Sequence, residues 1–299
     1  MEILQGGIFI VSNFYELNLN ELDKELSPLE KREWDNIYAS YRSGTPLSGK
    51  VSGVDRRRIQ DTPDESHDQL YFLVVVPYRV KIMIPEEETG FWDSREQAVR
   101  VMRGMFGTKI DFVITAIDRE NSLCVASRKR AMEIQRRMFA QTNPRIGNRI
   151  ETQILAAGST SVIASAGGFD FHLHAKELTY NRVPDYRDVF HPGEICTAVI
   201  QEYDPQTRQL SGISIRDAEP DPYIGARERH PLGCRRSCII TGKKNGRVYC
   251  SLEENLDCLC YYSSMLYDGE FQIGDRVLVS VVKYLDDRRV ILGKILRKW

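Results

Sequence analysis

In the last quarter of the chain, Arg247-Val248-Tyr249-Cys250-Ser251-Leu252 alternates small or apolar positions with a cation, a phenol ring and a hydroxyl. A few residues on, Cys258 and Cys260 alternate with Leu259 and Tyr261. Successive side chains of an extended strand point to opposite faces, so Val248, Cys250, Leu252, Cys258 and Cys260 would seal one face and Arg247, Tyr249 and Tyr261 would stand on the other. Arg235, Arg236, Lys243 and Lys244 precede this stretch and Arg288 and Arg289 follow it, and together they would ring that face. Flat rings edged by cations stack on unpaired nucleobases while the cations run along the phosphates. The alternative is plain packing: a strand tyrosine is often structural, and Lys243-Lys244-Asn245-Gly246 is also an ordinary solvated hairpin tip.

Sparser versions of the pattern occur upstream. Phe169-Asp170-Phe171-His172-Leu173-His174 would bury Phe171 and Leu173 and turn His172 and His174 outward. A His-x-His pair on a strand has no third ligand nearby, so no metal is expected there and simple exposure is the plain reading. Arg208 adds a cation in a downstream turn, and Tyr71 or Phe72 with Arg79 and Lys81 make a further set. Cys234, Cys238, Cys258 and Cys260 raise the question of zinc, but their spacings are not those of knuckles or ribbons, and a free Cys at an apolar strand position behaves as a small hydrophobe. Gly104-Met105-Phe106-Gly107 is not a phosphate loop, and neither Gly-x-Ser-x-Gly nor His-Glu-x-x-His occurs. A non-enzymatic chain without metal or cofactor is expected.

The elements that would carry these residues are written three times. GTKIDFVITAIDRENSLCVASRK from Gly107, GEICTAVIQEYDPQTRQLSGISIR from Gly193 and GDRVLVSVVKYLDDRRVILGKILRK from Gly274 share one grammar. Each has Gly, a strand of period two, a turn at Asp118, Asp204 or Asp286, and a second short strand. Three strands precede each hairpin: Pro46–Val54, Leu70–Pro77 and Val80–Pro85; Arg149–Ala156, Ser161–Ala166 and Phe169–His174; Arg235–Gly242, Gly246–Glu253 and Leu256–Tyr261. Asp55–Gln69 reads as a long loop. Ser27-Pro28-Leu29-Glu30 starts a helix to about Tyr41, with Trp34, Ile37, Tyr38 and Tyr41 on one face. Ser127 caps a basic helix in which Ala131, Ile134 and Met138 pack while Arg128, Lys129, Arg136 and Arg137 stay wet. Residues 1–26 receive no assignment.

Composition limits the class. The 299 residues hold seven scattered Cys, an odd number that favours reduced thiols, and no apolar run nears the roughly 20 residues a spanning helix needs. The beginning of the chain lacks the basic stretch of a signal peptide, so a cytoplasmic protein without membrane attachment is expected. Net charge is −1, yet residues 221–299 carry 14 Lys and Arg against 10 Asp and Glu, a local +4, while residues 143–220 come to 7 against 10, a local −3. Phosphate binding depends on the local face, so charge favours the last segment.

Five short strands with an irregular stretch between the third and fourth make a small oligonucleotide-binding (OB) barrel. Here the chain resembles the S1 RNA-binding domain family over about residues 43–298. Ala175-Lys176-Glu177-Leu178 matches its Ser-Glu-Leu element, His174 its frequent His, and Gly274-Asp275 its Gly-Asp, with Gly193-Glu194 a near match. Ile114–Asp118 and Val125–Arg128 also fit. The family's second-strand aromatic falls near Tyr71 or Phe72 and on Tyr249, but on Ile163 in the second copy; its His falls on Pro85 and Tyr261 in the other two. The resemblance implies an all-β protein of three tandem five-stranded OB barrels with an N-terminal helical segment and an interdomain helix. The expected divisions are 1–42, a helical extension; 43–142, the first barrel with its basic helix; 143–220, the second; and 221–299, the third. It implies binding of single-stranded RNA, mRNA included, in translation or at the ribosome; the oligomeric state stays open, with a monomer favoured. A protein-interaction scaffold of degenerate barrels and a single-stranded DNA binder remain open.

Overall fold

The computed structural model describes residues 26–58, 69–90, 92, 94–181, 183–244 and 247–299; the unassigned start and most of the expected loop after Arg58 lie outside the described residues. Helix α1, Pro28–Ser43, begins as its sequence dictates. The Ser27 N–H donates to Glu30 Oε2 at 2.8 Å, the Glu30 N–H returns the bond to Ser27 Oγ at 3.3 Å, and Pro28 occupies the first turn. Gly44 ends the helix in the left-handed region at φ 71°. Trp34 and Ile37 are buried in the core of the first barrel, so the helix is part of that barrel's packing. Glu33, on another side of α1, accepts the backbone N–H groups of Tyr78, Arg79 and Val80 and fixes the turn between two strands.

The first barrel is β1 (Leu47–Arg58), β2 (Gln69–Val75), β3 (Lys81–Pro85), β4 (Lys109–Asp118) and β5 (Leu123–Ser127), closed in the order β1-β2-β3-β5-β4. The third is β11 (Arg235–Lys244), β12 (Arg247–Glu253), β13 (Leu256–Tyr262), β14 (Arg276–Leu285) and β15 (Val290–Lys298), closed in the same order. In both, the third and fifth strands pair in parallel. The expected long loop is shorter than its sequence suggests, because β1 continues through Asp55, Arg56 and Arg57 and pairs as far as Arg58 with Gln69.

One device recurs in every barrel. The first strand slips register, at Val51/Gly53, Ile154/Ala156 and Ile240/Gly242, and such a bulge lets one strand bend to serve two partners. The repeat's Gly closes it. The N–H groups of Gly107, Gly193 and Gly274 donate to the carbonyls of Val51, Ile154 and Ile240 at 2.9, 2.8 and 2.8 Å. The N–H groups of those three residues donate back to Thr108, Glu194 and Asp275. All three glycines have φ between 80° and 94°, where a side chain is disfavoured.

The middle barrel, β6 (Arg149–Ala157), β7 (Ser161–Ala166), β8 (Phe169–His174), β9 (Ile195–Asp204) and β10 (Gln209–Ser214), keeps the order but not the last ladder. Its sheet runs β10-β9-β6-β7-β8, and β8 feeds directly into a one-turn helix, Ala175–Leu178, that packs on both β8 and β10. Leu178 is buried in the seam, filling the place of a parallel pair.

Two further helices join the first two barrels: α2, Arg95–Gly104, between β3 and β4, and α3, Arg128–Gln141, after β5. The face of α3 expected to stay wet is partly covered. Arg128 is buried: its Nη1 and Nη2 donate to both carboxylate oxygens of Asp170 on β8 at 2.7 and 2.8 Å, and Nη1 also donates to the Thr89 carbonyl. Arg136 is half-buried, with its Nε on the Gly168 carbonyl at 2.8 Å and its guanidinium 4.4 Å from the Phe169 ring. Met132 is buried with Ala131, whereas Met138 is exposed. The second barrel covers a side of the helix that amphipathicity alone assigns to solvent. Removing one partner of a buried ion pair strands the other, so Arg128→Ala should lower the unfolding free energy by about 3–5 kcal/mol. Exposed Arg137→Ala should stay within about 0.5 kcal/mol, and denaturant unfolding of the two variants checks both values.

Candidate nucleic-acid interface

The third barrel realises the alternation. Val248, Cys250 and Leu252 of β12 and Cys258 and Cys260 of β13 are buried in its core. Arg247, Tyr249 and Ser251 point outward with Leu259 and Tyr261. Tyr249 pairs with Leu259 across the two strands, and Arg247 and Tyr261 lie one step further along. Behind the Tyr249 ring stands Gly242, where an added Cβ would come within 3.9 Å of the ring carbon Cδ2. Tyr261 is 48% exposed. The parallel β13–β15 register sets Lys294 beside Tyr261. Lys294 was not among the expected residues. Its signal is in the sequence, since Ile291, Gly293 and Ile295 turn inward and Lys294 must turn out, but only the parallel pairing shows which ring it accompanies.

The expected basic ring does not close. Because β15 runs parallel to β13, the β14–β15 turn with Arg288 and Arg289 falls at the Glu253–Leu256 end of the barrel, opposite the end that holds Lys243, Arg247 and Tyr261. Arg289 pairs with Asp221 and lies 5.4 Å from the Tyr223 ring, while Arg288 is exposed at the same end. Arg236 donates to His230 Nδ1 at 3.1 Å and to the Arg229 carbonyl at 2.7 Å, anchoring the connection that enters the barrel. Arg235 is exposed at the start of β11, opposite Ser280. Lys243 is held on the carbonyls of Asp268 and Phe271 and on the Asp268 carboxylate at 2.8 Å. That lysine and the Tyr262 hydroxyl keep the Asp268 carboxyl below its ordinary range. The side chain of Lys244 lies outside the described residues. Arg247 and Lys294 therefore flank the tyrosines most directly.

The first two barrels treat the same strand face differently. On β7, Ile163 occupies the place of the family aromatic and points outward, yet it is buried with Leu155 and Ala156 among Val101, Met102 and Met105 of the first barrel. The two barrels approach closely enough that a Cβ on Gly104 would sit 2.7 Å from Ala156 Cβ. His172 and His174 do turn outward, with ring centroids 4.5 Å apart and His172 Nε2 2.7 Å from Ser161 Oγ. Arg208 lies apart from them at the exposed β9–β10 turn, with φ 57°. In the first barrel the outward residue of the Tyr71–Phe72 pair is Phe72, and it is buried with Val74 and Met83. Tyr71 faces the core side instead. Arg79 pairs with Glu30, and Lys81 with Asp55 at 2.7 Å, which neutralises both cations.

The cysteines are free, and Cys124, Cys238, Cys250, Cys258 and Cys260 are buried. Among the described residues no three His, Cys, Asp or Glu side chains gather as metal ligands. Burial pushes the Cys124 and Cys238 thiols up to about 12, far from the thiolate a metal or an electrophile needs. A thiol reagent should therefore label the native protein fastest at half-buried Cys234, more slowly at Cys196, whose thiol burial lifts to about 11, and reach the other five on unfolding. No helix among the described residues is long and apolar enough to cross a membrane.

Three five-stranded sheets of one strand order define a protein of tandem OB barrels. In sequence the chain is similar to ribosomal proteins of the S1 RNA-binding domain family. Small ribosomal subunit protein bS1 of Neisseria meningitidis is 23% identical over 195 residues, covering 62% of this chain and 35% of that one. The bS1 protein of Coxiella burnetii is 21% identical over 272 residues, 87% of this chain and 45% of the relative. The chain thus spans between a third and a half of the length of the relatives it matches. No family model matches it. Among solved structures, a multidomain protein with nucleic acid binding domains from Streptococcus pneumoniae aligns over 85% of this chain and 73% of its own at 10% identity, with a TM-score of 0.20.

Proposed function

We propose that the protein binds single-stranded RNA across the outward face of β12, β13 and β15, with bases stacked on Tyr249 and Tyr261 and phosphates met by Arg247 and Lys294. One observation carries the reading: on the outward face of the third barrel, exposed Tyr261 and Arg247 stand with Tyr249 and Lys294, whereas Phe72 of the first barrel and Ile163 of the second are buried and the exposed part of the second face is His172 and His174. The local charge of residues 221–299 supports it, as do relatives that are named as proteins of the small ribosomal subunit. The natural setting is translation, with mRNA or ribosomal RNA as the ligand and no catalysed reaction. His172 and His174 form a smaller exposed pair that can extend the RNA path. The burial of Phe72 and Ile163 favours a supporting role for the first two barrels, and only to that extent does the scaffold reading hold.

The test is a titration of an unstructured RNA oligomer at two salt concentrations. Base stacking on an aromatic is worth about 1–3 kcal/mol, so Tyr249→Ala with Tyr261→Ala should weaken binding by at least roughly tenfold. Each phosphate contact to a single strand contributes about 0.7 to the salt slope, so Arg247→Gln with Lys294→Gln should flatten it by about 1.4. Binding that ignores salt and both double variants would sink the proposal, and a DNA oligomer that competes equally would move it to single strands in general.

A further inference from the structure

The first barrel contains a cavity that the RNA face does not use. In the β1–β2 ladder, Val54 faces Leu73 and Arg56 faces Tyr71 on the core-side row, while Asp55 and Phe72 take the outward row. The hairpin runs on past its last pairing with β3, so the end of this row, still packed against the core, also meets α2 and Phe106. A hollow of about 420 Å³ lies between them, within the roughly 300–1,000 Å³ of small-molecule sites. Val54 and Met102 line it with apolar surface, Tyr71 and Phe106 with rings, and Arg56 and Arg103 with charge.

Three features separate this hollow from an ordinary solvated helix surface. Among the described residues no carboxylate lines it, and neither Arg56 nor Arg103 makes an ion pair. Two guanidinium groups converge on one ring, with Arg103 and Arg95 lying 6.0 and 5.9 Å from the Tyr71 centroid. Phe106 is 69% exposed at its edge, although the same short segment buries Met102 and Met105 completely. Unpaired cations beside an exposed ring and an apolar floor are complementary to a flat heterocycle that carries negative charge.

The geometry points to a nucleotide site in the first barrel: a base against Phe106 and Tyr71, its phosphate held by Arg56 and Arg103. The site lies on the opposite side of the β1–β2 ribbon from the outward strand face and on a different barrel from Tyr249 and Tyr261. Its ligand is either a free mononucleotide or one nucleotide of an RNA chain, since both offer the same base and phosphate.

Calorimetric titration of the full chain with adenosine 5′-monophosphate, and separately with a short single-stranded RNA, tests it. Both ligands are also titrated into the Tyr249→Ala/Tyr261→Ala variant, which lacks the third-barrel rings. A monophosphate that binds this variant as it binds the wild type, and is weakened at least about tenfold by Arg103→Gln and by Phe106→Ala, establishes a site for free nucleotides. RNA binding retained in the tyrosine double variant and lost on adding Arg103→Gln, with no monophosphate uptake, establishes a site for a nucleotide within a chain. Both substitutions are at exposed or half-exposed positions, and an unchanged denaturation midpoint confirms that each variant folds. If Arg56→Gln, Arg103→Gln and Phe106→Ala leave the binding of both ligands unchanged, or if neither ligand binds the tyrosine double variant, the inference is overturned. Those outcomes leave the third-barrel proposal untouched, because its own test reads Tyr249 and Tyr261.

Discussion

In each of the three units a two-way exchange ties a bulged residue of the first strand to the Gly-x pair that opens the fourth. Val51 trades hydrogen bonds with Gly107 and Thr108, Ile154 with Gly193 and Glu194, and Ile240 with Gly274 and Asp275. The bulge diverts the first strand from one partner to the other, and the exchange satisfies the backbone groups it would otherwise orphan. Everything downstream inherits its register from this clasp, because a slip of one residue would turn every side chain of the fourth strand to the wrong face. The glycine is required for a backbone reason: its amide reaches the bulge only with φ in the left-handed region.

Once closed, a barrel has an outward face on its second and third strands, and the chain uses that face in different ways. In the second barrel, Leu155, Ala156 and Ile163 are given over to packing against the first, and the Arg128–Asp170 pair fastens the same junction from α3. In the third, polar ties are drawn to the margins. Arg229 and His230 bond Glu253, Arg236 bonds His230, and Arg289 bonds Asp221. Those contacts hold the entry to the barrel, away from Tyr261. One structural position is thus buried in two of three similar folds and half-buried in the third.

The repeats, their strands and the cap at Ser27 are legible in the sequence because they rest on local rules: alternation, turn chemistry and the needs of a helix N-terminus. The inward and outward sets around Tyr249 and His172 are legible for the same reason. What is not legible depends on neighbours distant in the chain. Arg128 looks like any basic residue of an amphipathic helix until Asp170, 42 positions on, is brought to it. Ile163 reads as a lost aromatic until the first barrel is seen to cover it. Arg288 and Arg289 seem to edge the tyrosines, and Lys294 does not, until the parallel β13–β15 pairing reverses the two. Tyr71 and Phe72 differ by one position, and only the β1–β2 register decides which of them faces outward.

The unclosed seam of the middle barrel carries a mechanical consequence. Its neighbours are hoops, in which force on any strand is shared around the ring through the parallel third-to-fifth ladder. The middle sheet is a strip whose two edges, β8 and β10, are held together by side-chain packing through Leu178 and a single turn of helix. A strip can be peeled from its edge one strand at a time, whereas a hoop must break across its ladder. Under tension along the chain, the middle unit would yield first while the outer two stay intact, a fixed order of failure that follows from one absent ladder.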